Sequence, residues 1–288
     1  MSSINPWVLG ARPKTLPAAI APVLVATAYG ANQSTSVDFS FTLNAIAALI
    51  VGISLQVAVN YANDYSDGIR GTDEGRVGPQ RLVGSGLKSA ESVRRAAYLA
   101  FLVAIVAGSY LAVTRSLWLF LVGIVAIMAA WGYTGGKNPY GYRGLGEISV
   151  FIFFGLVATI GTFFVLTGGI DLTIIGLGSA MGAIACGILL LNNVRDIEGD
   201  RTSGKRTLSV RIGSARSITL YWTLIFASLV IFIATTGLPY SLLLSLTLPI
   251  LLRLRGAIRT GELIKALEAT GKFQIQFALL LSLAHLWR

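Results

Sequence analysis

The chain has 288 residues, of which 54% are hydrophobic and 12% charged, and its net charge is +10. That is too apolar and too sparsely charged for an ordinary soluble domain, so residues 1–288 read as one integral membrane domain, all-α in class. The basic surplus points to membrane topology and lipid headgroups rather than nucleic acid, and a single cysteine (Cys186) and histidine (His285) argue against disulfides and against zinc, copper or haem sites.

The start, Met1-Ser2-Ser3-Ile4-Asn5-Pro6-Trp7, lacks the features of a secretory signal, so the first apolar run is expected to remain as a helix bent near Pro17 and Pro22. Uncharged runs cover residues 15–37, 39–63, 96–114, 116–136, 148–170, 172–194, 217–252 and 273–287. A helix crossing the hydrocarbon needs about 20 residues, so each of the first six runs predicts one span. The seventh, 36 residues long, would make about 54 Å of helix, and Gly237-Leu238-Pro239 breaks it into two spans. The last run gives a ninth. Between them, residues 254–269 mix charged and apolar side chains in the pattern of an amphipathic interfacial helix.

With nine spans, Arg12, Lys14 and the loops 64–95, 137–147, 195–216 and 253–272 share one side. They hold 21 of the 23 Lys and Arg, which marks the cytoplasmic face of a plasma-membrane protein. Eleven of the 13 acidic residues lie there too, Asp38 and Asp171 being the exceptions.

Two acidic patterns stand at this face: Asn60-x-x-x-Asp64-x-x-Asp67 ends the second span and Asn192-x-x-x-Asp196-x-x-x-Asp200 ends the sixth. Residues four apart nearly eclipse on a helix, so each set is expected to present its oxygens along one face of one helix end. Clustered carboxylates repel, and a dication turns that repulsion into attraction. Oxygen donors of this kind suit Mg²⁺ shared with substrate phosphates, so a diphosphate is the expected third party. The spacing of four helices suggests two parallel four-helix halves with a ninth helix appended.

Long loops follow both motifs and read as lids. The first carries Asp73, Arg81 and Gly84-Ser85-Gly86; the second carries Lys205 and Arg206. Lys137 follows Tyr133 as Tyr-x-x-x-Lys, with Arg143 in the same short loop, and these bases are the complementary half for phosphate oxygens. Tyr61, Tyr65, Trp131, Tyr133, Tyr140 and Tyr142 lie at the same level, where a ring facing the cavity would stabilise a cation. Gly178-x-x-x-Gly182 marks close helix packing.

At Ala11-Arg12-Pro13-Lys14-Thr15-Leu16-Pro17-Ala18, Asn63-Asp64-Tyr65-Ser66-Asp67-Gly68, Gly71-Thr72-Asp73, Gly78-Pro79-Gln80-Arg81 and Asn192-Asn193-Val194-Arg195-Asp196-Ile197-Glu198-Gly199-Asp200, the chain resembles the UbiA superfamily of intramembrane prenyltransferases. Within it, the flanking residues resemble the 1,4-dihydroxy-2-naphthoate polyprenyltransferases of menaquinone biosynthesis. The resemblance implies nine transmembrane helices around a central cavity under a cytoplasmic cap. It implies a polyprenyl diphosphate and 1,4-dihydroxy-2-naphthoate as substrates. Asp64, Asp67, Asp196 and Asp200, helped by Asn60, Asn192 and Asp73, would hold Mg²⁺, while Lys137, Arg143, Arg81, Lys205, Arg206 and Tyr133 would meet the diphosphate. Other acceptors, 4-hydroxybenzoate, homogentisate or a porphyrin, would leave these motifs unchanged, and a cation-coupled carrier is the non-enzyme alternative.

Overall fold

The computed structural model describes residues 5–72 and 80–287, and among these all regular structure is helical. Asn5 caps the short α1 (Pro6–Ala11) by accepting from the Trp7 amide at 3.0 Å. The chain then turns at Arg12, whose φ of 53° makes it the one non-glycine residue with positive φ among those described. Pro13 and Pro17 restart it, first as a single 3₁₀ turn and then as α2 (Pro17–Gln33), which keeps Pro22 inside. The expected bend therefore falls at Arg12, ahead of α2.

α3 (Phe39–Ile69) and α4 (Ala90–Thr114) form a long antiparallel pair, followed by α5 (Leu119–Gly132), α6 (Gly146–Thr167) and α7 (Leu172–Arg195). Short helices α8 (Ile197–Thr202) and α9 (Leu208–Ile212) lead to α10 (Ser214–Thr236), α11 (Leu238–Arg259) and α12 (Leu263–Leu286). The two acids that stood apart from the others have a local explanation. Asp38 accepts from the Phe41 amide at 2.7 Å and Asp171 from the Ile174 amide at 2.8 Å, so each caps a long helix at its start. Such caps contribute about 1 kcal/mol apiece.

Among the described residues, six helices are long and apolar enough to cross a membrane: α3, α4, α6, α7, α10 and α11. The remaining expected spans fall short of that measure for separate reasons. α2 has 17 residues and α5 has 14, while α12 carries Lys265, Glu268 and Lys272 in its first half. The break in the seventh apolar run is where the sequence placed it, at Gly237 with φ 84°. The interfacial helix expected over 254–269 is absent as a unit. Gly261, at φ 74°, turns the chain there, so its first part ends α11 and its second part begins α12.

α7 is the most enclosed of the six, with 72% of its most apolar stretch buried against 17–28% for the others. Small residues permit this. A Cβ built on Gly155 of α6 would stand 2.5 Å from Gly182 Cα and 2.7 Å from the Gly178 carbonyl of α7. The Gly178–Gly182 pair is thus a backbone-to-backbone contact, as its spacing suggested. Around it, Met181, Ile184, Tyr221, Phe232 and Phe277 fill the core between α7, α10 and α12.

Gly155→Ala forces backbone apart and is expected to destabilise the fold by about 1–3 kcal/mol, seen as a lower melting temperature in detergent. Gly161→Ala, in the same helix but with nothing within 4 Å of its added methyl, is expected to leave the midpoint unchanged or raise it. Equal midpoints for the two variants would refute the contact.

Candidate active site at the acidic helix ends

The first motif lies on one uninterrupted helix, yet its three members have different tasks. Asn60 donates to the Ala11 carbonyl at 2.9 Å and to Thr15 Oγ1 at 3.0 Å, and accepts from Gln56 at 3.2 Å. It ties the Arg12 turn to α3. Asp64, 0% exposed, accepts from the Leu82 amide at 2.9 Å and the Val83 amide at 3.0 Å, one on each carboxylate oxygen. This clamps the following loop over the helix end, where Gly68 leaves no room for a Cβ against Val83. Asp67, 3% exposed, accepts from the Tyr142 hydroxyl and pairs with Lys205 Nζ at 3.4 Å and Arg81 Nη2 at 3.7 Å.

The second motif departs from the expected single helical face. α7 ends at Arg195; Asp196, at φ −97° and ψ 7°, separates it from α8, which carries Asp200. Arg195 holds Asp196 with two hydrogen bonds of 2.7 Å. Asn192 donates to the Ile188 carbonyl of its own helix at 3.1 Å. Asp200 accepts from Thr207 Oγ1 at 3.4 Å, and its carbonyl takes the Lys205 amide at 2.8 Å. Lys205 then reaches back to Asp67, passing 4.6 Å from the Tyr142 ring centre. Lys205 thus ties the segment after the second motif to Asp67 of the first.

Residues 133–147 close the third side. Burial, followed by the fields of Glu147, Tyr140, Asp67 and Asp200, raises the Tyr133 phenol above the usual tyrosine range; burial and then Asp67 do the same to Tyr142. Both stay protonated donors near neutral pH. Arg70, which the motifs did not single out, donates to the Thr134 and Gly136 carbonyls and lies 5.5 Å over the Tyr142 ring. Its signal was its place one turn after Asp67. Asn193, beside the singled-out Asn192, donates to buried Glu147 at 2.9 Å, and neither was identified from sequence.

Other expected members are not gathered. Lys137 and Arg143 are exposed, and neither makes a hydrogen bond or ion pair among the described residues. The Arg206 side chain is exposed as well, although its amide donates to the Tyr142 carbonyl at 2.8 Å and joins two loops. Asp73 lies outside the described residues.

The donor chemistry fits Mg²⁺, being all oxygen and drawn from two helix ends. The arrangement does not yet form a cage: among the described residues no three Asp, Glu, His or Cys side chains are grouped to hold a metal ion. Protein donors engage the carboxylates instead. The Lys205 and Arg81 contacts on Asp67 are longer than the ~2.7–2.9 Å of tight charged hydrogen bonds, whereas Asp64 and Asp196 each have both oxygens bonded. Asp67 thus holds Lys205 and Arg81 at longer range than Asp64 and Asp196 hold the donors given above.

Residues 19–273 match the UbiA prenyltransferase family. A 1,4-dihydroxy-2-naphthoate octaprenyltransferase of Mycobacterium tuberculosis is 44% identical over 97% of this chain and 96% of its own. Among solved structures, the apo form of a UbiA homolog from Aeropyrum pernix K1 aligns with a TM-score of 0.69 at 14% identity, covering 92% of this chain and 96% of that one. A UbiA homolog from Archaeoglobus fulgidus bound to GPP and Mg²⁺ aligns at 0.63 and 14% identity, over 99% of this chain and 100% of its own. At those identities the likeness is one of fold, and it agrees with a multi-pass helical membrane protein.

Asp64→Asn replaces one acceptor of the loop clamp by an amide donor and leaves the other uncharged. Charged hydrogen bonds contribute about 1.5–3 kcal/mol and tenfold corresponds to about 1.4, so amide exchange at Leu82 and Val83 is expected to accelerate at least about tenfold. Hydrogen-exchange mass spectrometry of the loop reads this directly; unchanged protection at both amides would show that Asp64 does not hold it.

Proposed function

As the chain belongs to the UbiA prenyltransferase family, we propose that it transfers a polyprenyl chain from polyprenyl diphosphate to 1,4-dihydroxy-2-naphthoate, releasing diphosphate and CO₂. The product is demethylmenaquinol, a step of menaquinone biosynthesis. The observation that carries the reading is the convergence on Asp67, in the first acidic motif, of Lys205, Arg81 and Tyr142 from three separate segments, Lys205 from the one that follows the second motif. The naphthoate relative, alike over nearly the whole of both chains, supports the acceptor.

In this reading Asp67 and Asp200, with Asp64 and Asp196 after release of their present partners and with Asn60, Asn192 and Asp73 in support, hold Mg²⁺. When bound, the metal supplies positive charge to the departing diphosphate. Lys205 and Arg81 shift from Asp67 to the phosphate oxygens, the guanidinium with two donors and the ammonium as a point charge. Tyr133 and Tyr142, still protonated, add neutral donors. Lys137, Arg143 and Arg206, exposed near this end, draw the anionic head in from the solvent side. The allylic C–O bond then breaks, and tyrosine rings stabilise the cation until the naphthoate carbon attacks it.

The setting follows from solubility. The isoprenoid tail belongs in hydrocarbon and its diphosphate at the interface, so we place this single transmembrane domain in the plasma membrane with its acidic end toward the cytoplasm. Apolar walls around the reacting centre keep water from quenching the cation.

Purified protein incubated with a prenyl diphosphate, Mg²⁺ and a panel of aromatic acceptors is expected to yield the prenylated naphthoquinol. Asp67→Asn and Asp200→Asn should each lower turnover about a hundredfold or more, and EDTA should abolish it until Mg²⁺ is restored. Preference for 4-hydroxybenzoate or homogentisate would correct the acceptor alone. Absence of diphosphate release with every acceptor would sink the transferase reading and favour a carrier.

A further inference from the structure

The proposed transfer uses carboxylates, bases and phenols around the diphosphate, but one buried carboxylate beside them has no part in it. Glu147 lies in the first turn of α6 and is 8% exposed. Its main-chain carbonyl accepts from Cys186 Sγ at 3.0 Å, and its Oε1 accepts from Asn193 Nδ2 at 2.9 Å. These partners are seven residues apart on α7, so Glu147 bridges two turns of that helix next to the second acidic motif. Its other oxygen, Oε2, is buried with no hydrogen-bond partner among the described residues.

Leaving a carboxylate oxygen unpaired in an apolar bundle is unfavourable, so the atom marks a place for a donor that arrives from outside the protein. The place adjoins the reacting centre. A Cβ on Gly146 would lie 3.0 Å from the Tyr133 hydroxyl, which puts that phenol beside the residue preceding Glu147. The same phenol lies within the fields of Asp67 and Asp200. Tyr133 therefore links the first turn of α6, which carries Glu147, to the diphosphate-binding end.

We propose that Glu147 is the acceptor-side base, binding a ring hydroxyl of the aromatic acceptor through Oε2, with Asn193 as the positioning residue that fixes Oε1. This rests on the aromatic-acceptor reading given above. As the ring carbon bearing the carboxylate bonds to the prenyl cation, the neighbouring hydroxyl gives its proton to Glu147 and becomes a ketone, its O–H electron pair passing through the ring into the new C–C bond. The carboxylate then leaves as CO₂; its C–C bonding pair restores the ring and the oxygen recovers the proton from Glu147. No outside oxidant or co-reactant is needed, and Glu147 ends as it began.

The other role such a pair has is to pin α6 to α7. Glu147→Gln separates the two, because its amide oxygen still accepts from Asn193 while the basic Oε2 is replaced by a donor. With the acceptor that wild-type protein turns over best, kcat is expected to fall about a hundredfold or more. Binding of an unreactive prenyl thiodiphosphate, and the melting temperature, should stay at wild-type values. The residual rate should climb by about tenfold per pH unit as the acceptor hydroxyl ionises unaided, and Glu147→Asp should recover part of the loss. The proposal is overturned if Glu147→Gln keeps more than about a third of kcat, or if kcat, analogue binding and melting temperature decline together. A wild-type protein inert toward every aromatic acceptor would instead overturn the underlying reading, a result independent of the variant-to-wild-type ratio.

Discussion

One carboxylate joins the three loops at the acidic end of this bundle. Arg81 comes from the loop after α3, Tyr142 from the loop after α5 and Lys205 from the turn between α8 and α9, and all three reach Asp67. Hydrocarbon cannot solvate a charge, so ionised groups in such a chain collect at helix ends and satisfy one another there. Removing a partner from a buried ion pair costs about 3–5 kcal/mol, because a charge is left uncompensated. A ligand that draws Lys205 and Arg81 away from Asp67 must therefore bring positive charge with it. A diphosphate alone would gain two cations and strand a carboxylate; a diphosphate carrying a dication replaces what it takes.

Asp64 shows how little sequence position decides the task. It lies three residues from Asp67 on the same helix, yet its oxygens are spent on the Leu82 and Val83 amides rather than on mobile side chains. Backbone donors are fixed by the fold, whereas lysine and arginine heads swing on flexible stems. One acid consequently orders the cap and its neighbour is poised to exchange partners. Asn60 makes a similar contribution one turn deeper, through the Ala11 carbonyl and Thr15 at the strained Arg12 turn.

The helical class, the break at Gly237 and the close packing at Gly182 were legible because each rests on a local rule: hydropathy, positive φ and the absence of a side chain. The two acidic motifs were legible for the same reason, since few other carboxylates occur. The interruption at Asp196 was not, because a four-residue spacing fits a continuous helix and a capped one equally well. Lys137 stands four residues after Tyr133 at the acidic end, but pattern does not tell which way a loop side chain points, and it is exposed. Arg70, Asn193 and Glu147 matter through contacts with distant segments: Arg70 bonds carbonyls of residues 134 and 136, and Asn193 meets Glu147 from another helix. No single stretch of sequence contains those pairs.

The α6–α7 contact shows how such distant pairs are brought into register. On α7, Gly182 and Asn193 are eleven residues apart, which is within about 20° of the same helical face. On α6, Gly155 and Glu147 are eight apart, and a regular α-helix would leave them about 80° out of phase. Both nevertheless face α7, Gly155 against Gly182 and Glu147 against Asn193. The difference is made up by residues Phe151–Val157, which wind as a π-helix, with wider turns and fewer degrees of rotation per residue. The irregular stretch lets one helix present a glycine for close packing and a carboxylate for chemistry on the same side. Restoring regular α-helical winding there would keep the packing contact and swing Glu147 away from Asn193, which ties the local irregularity to the acceptor side of the site.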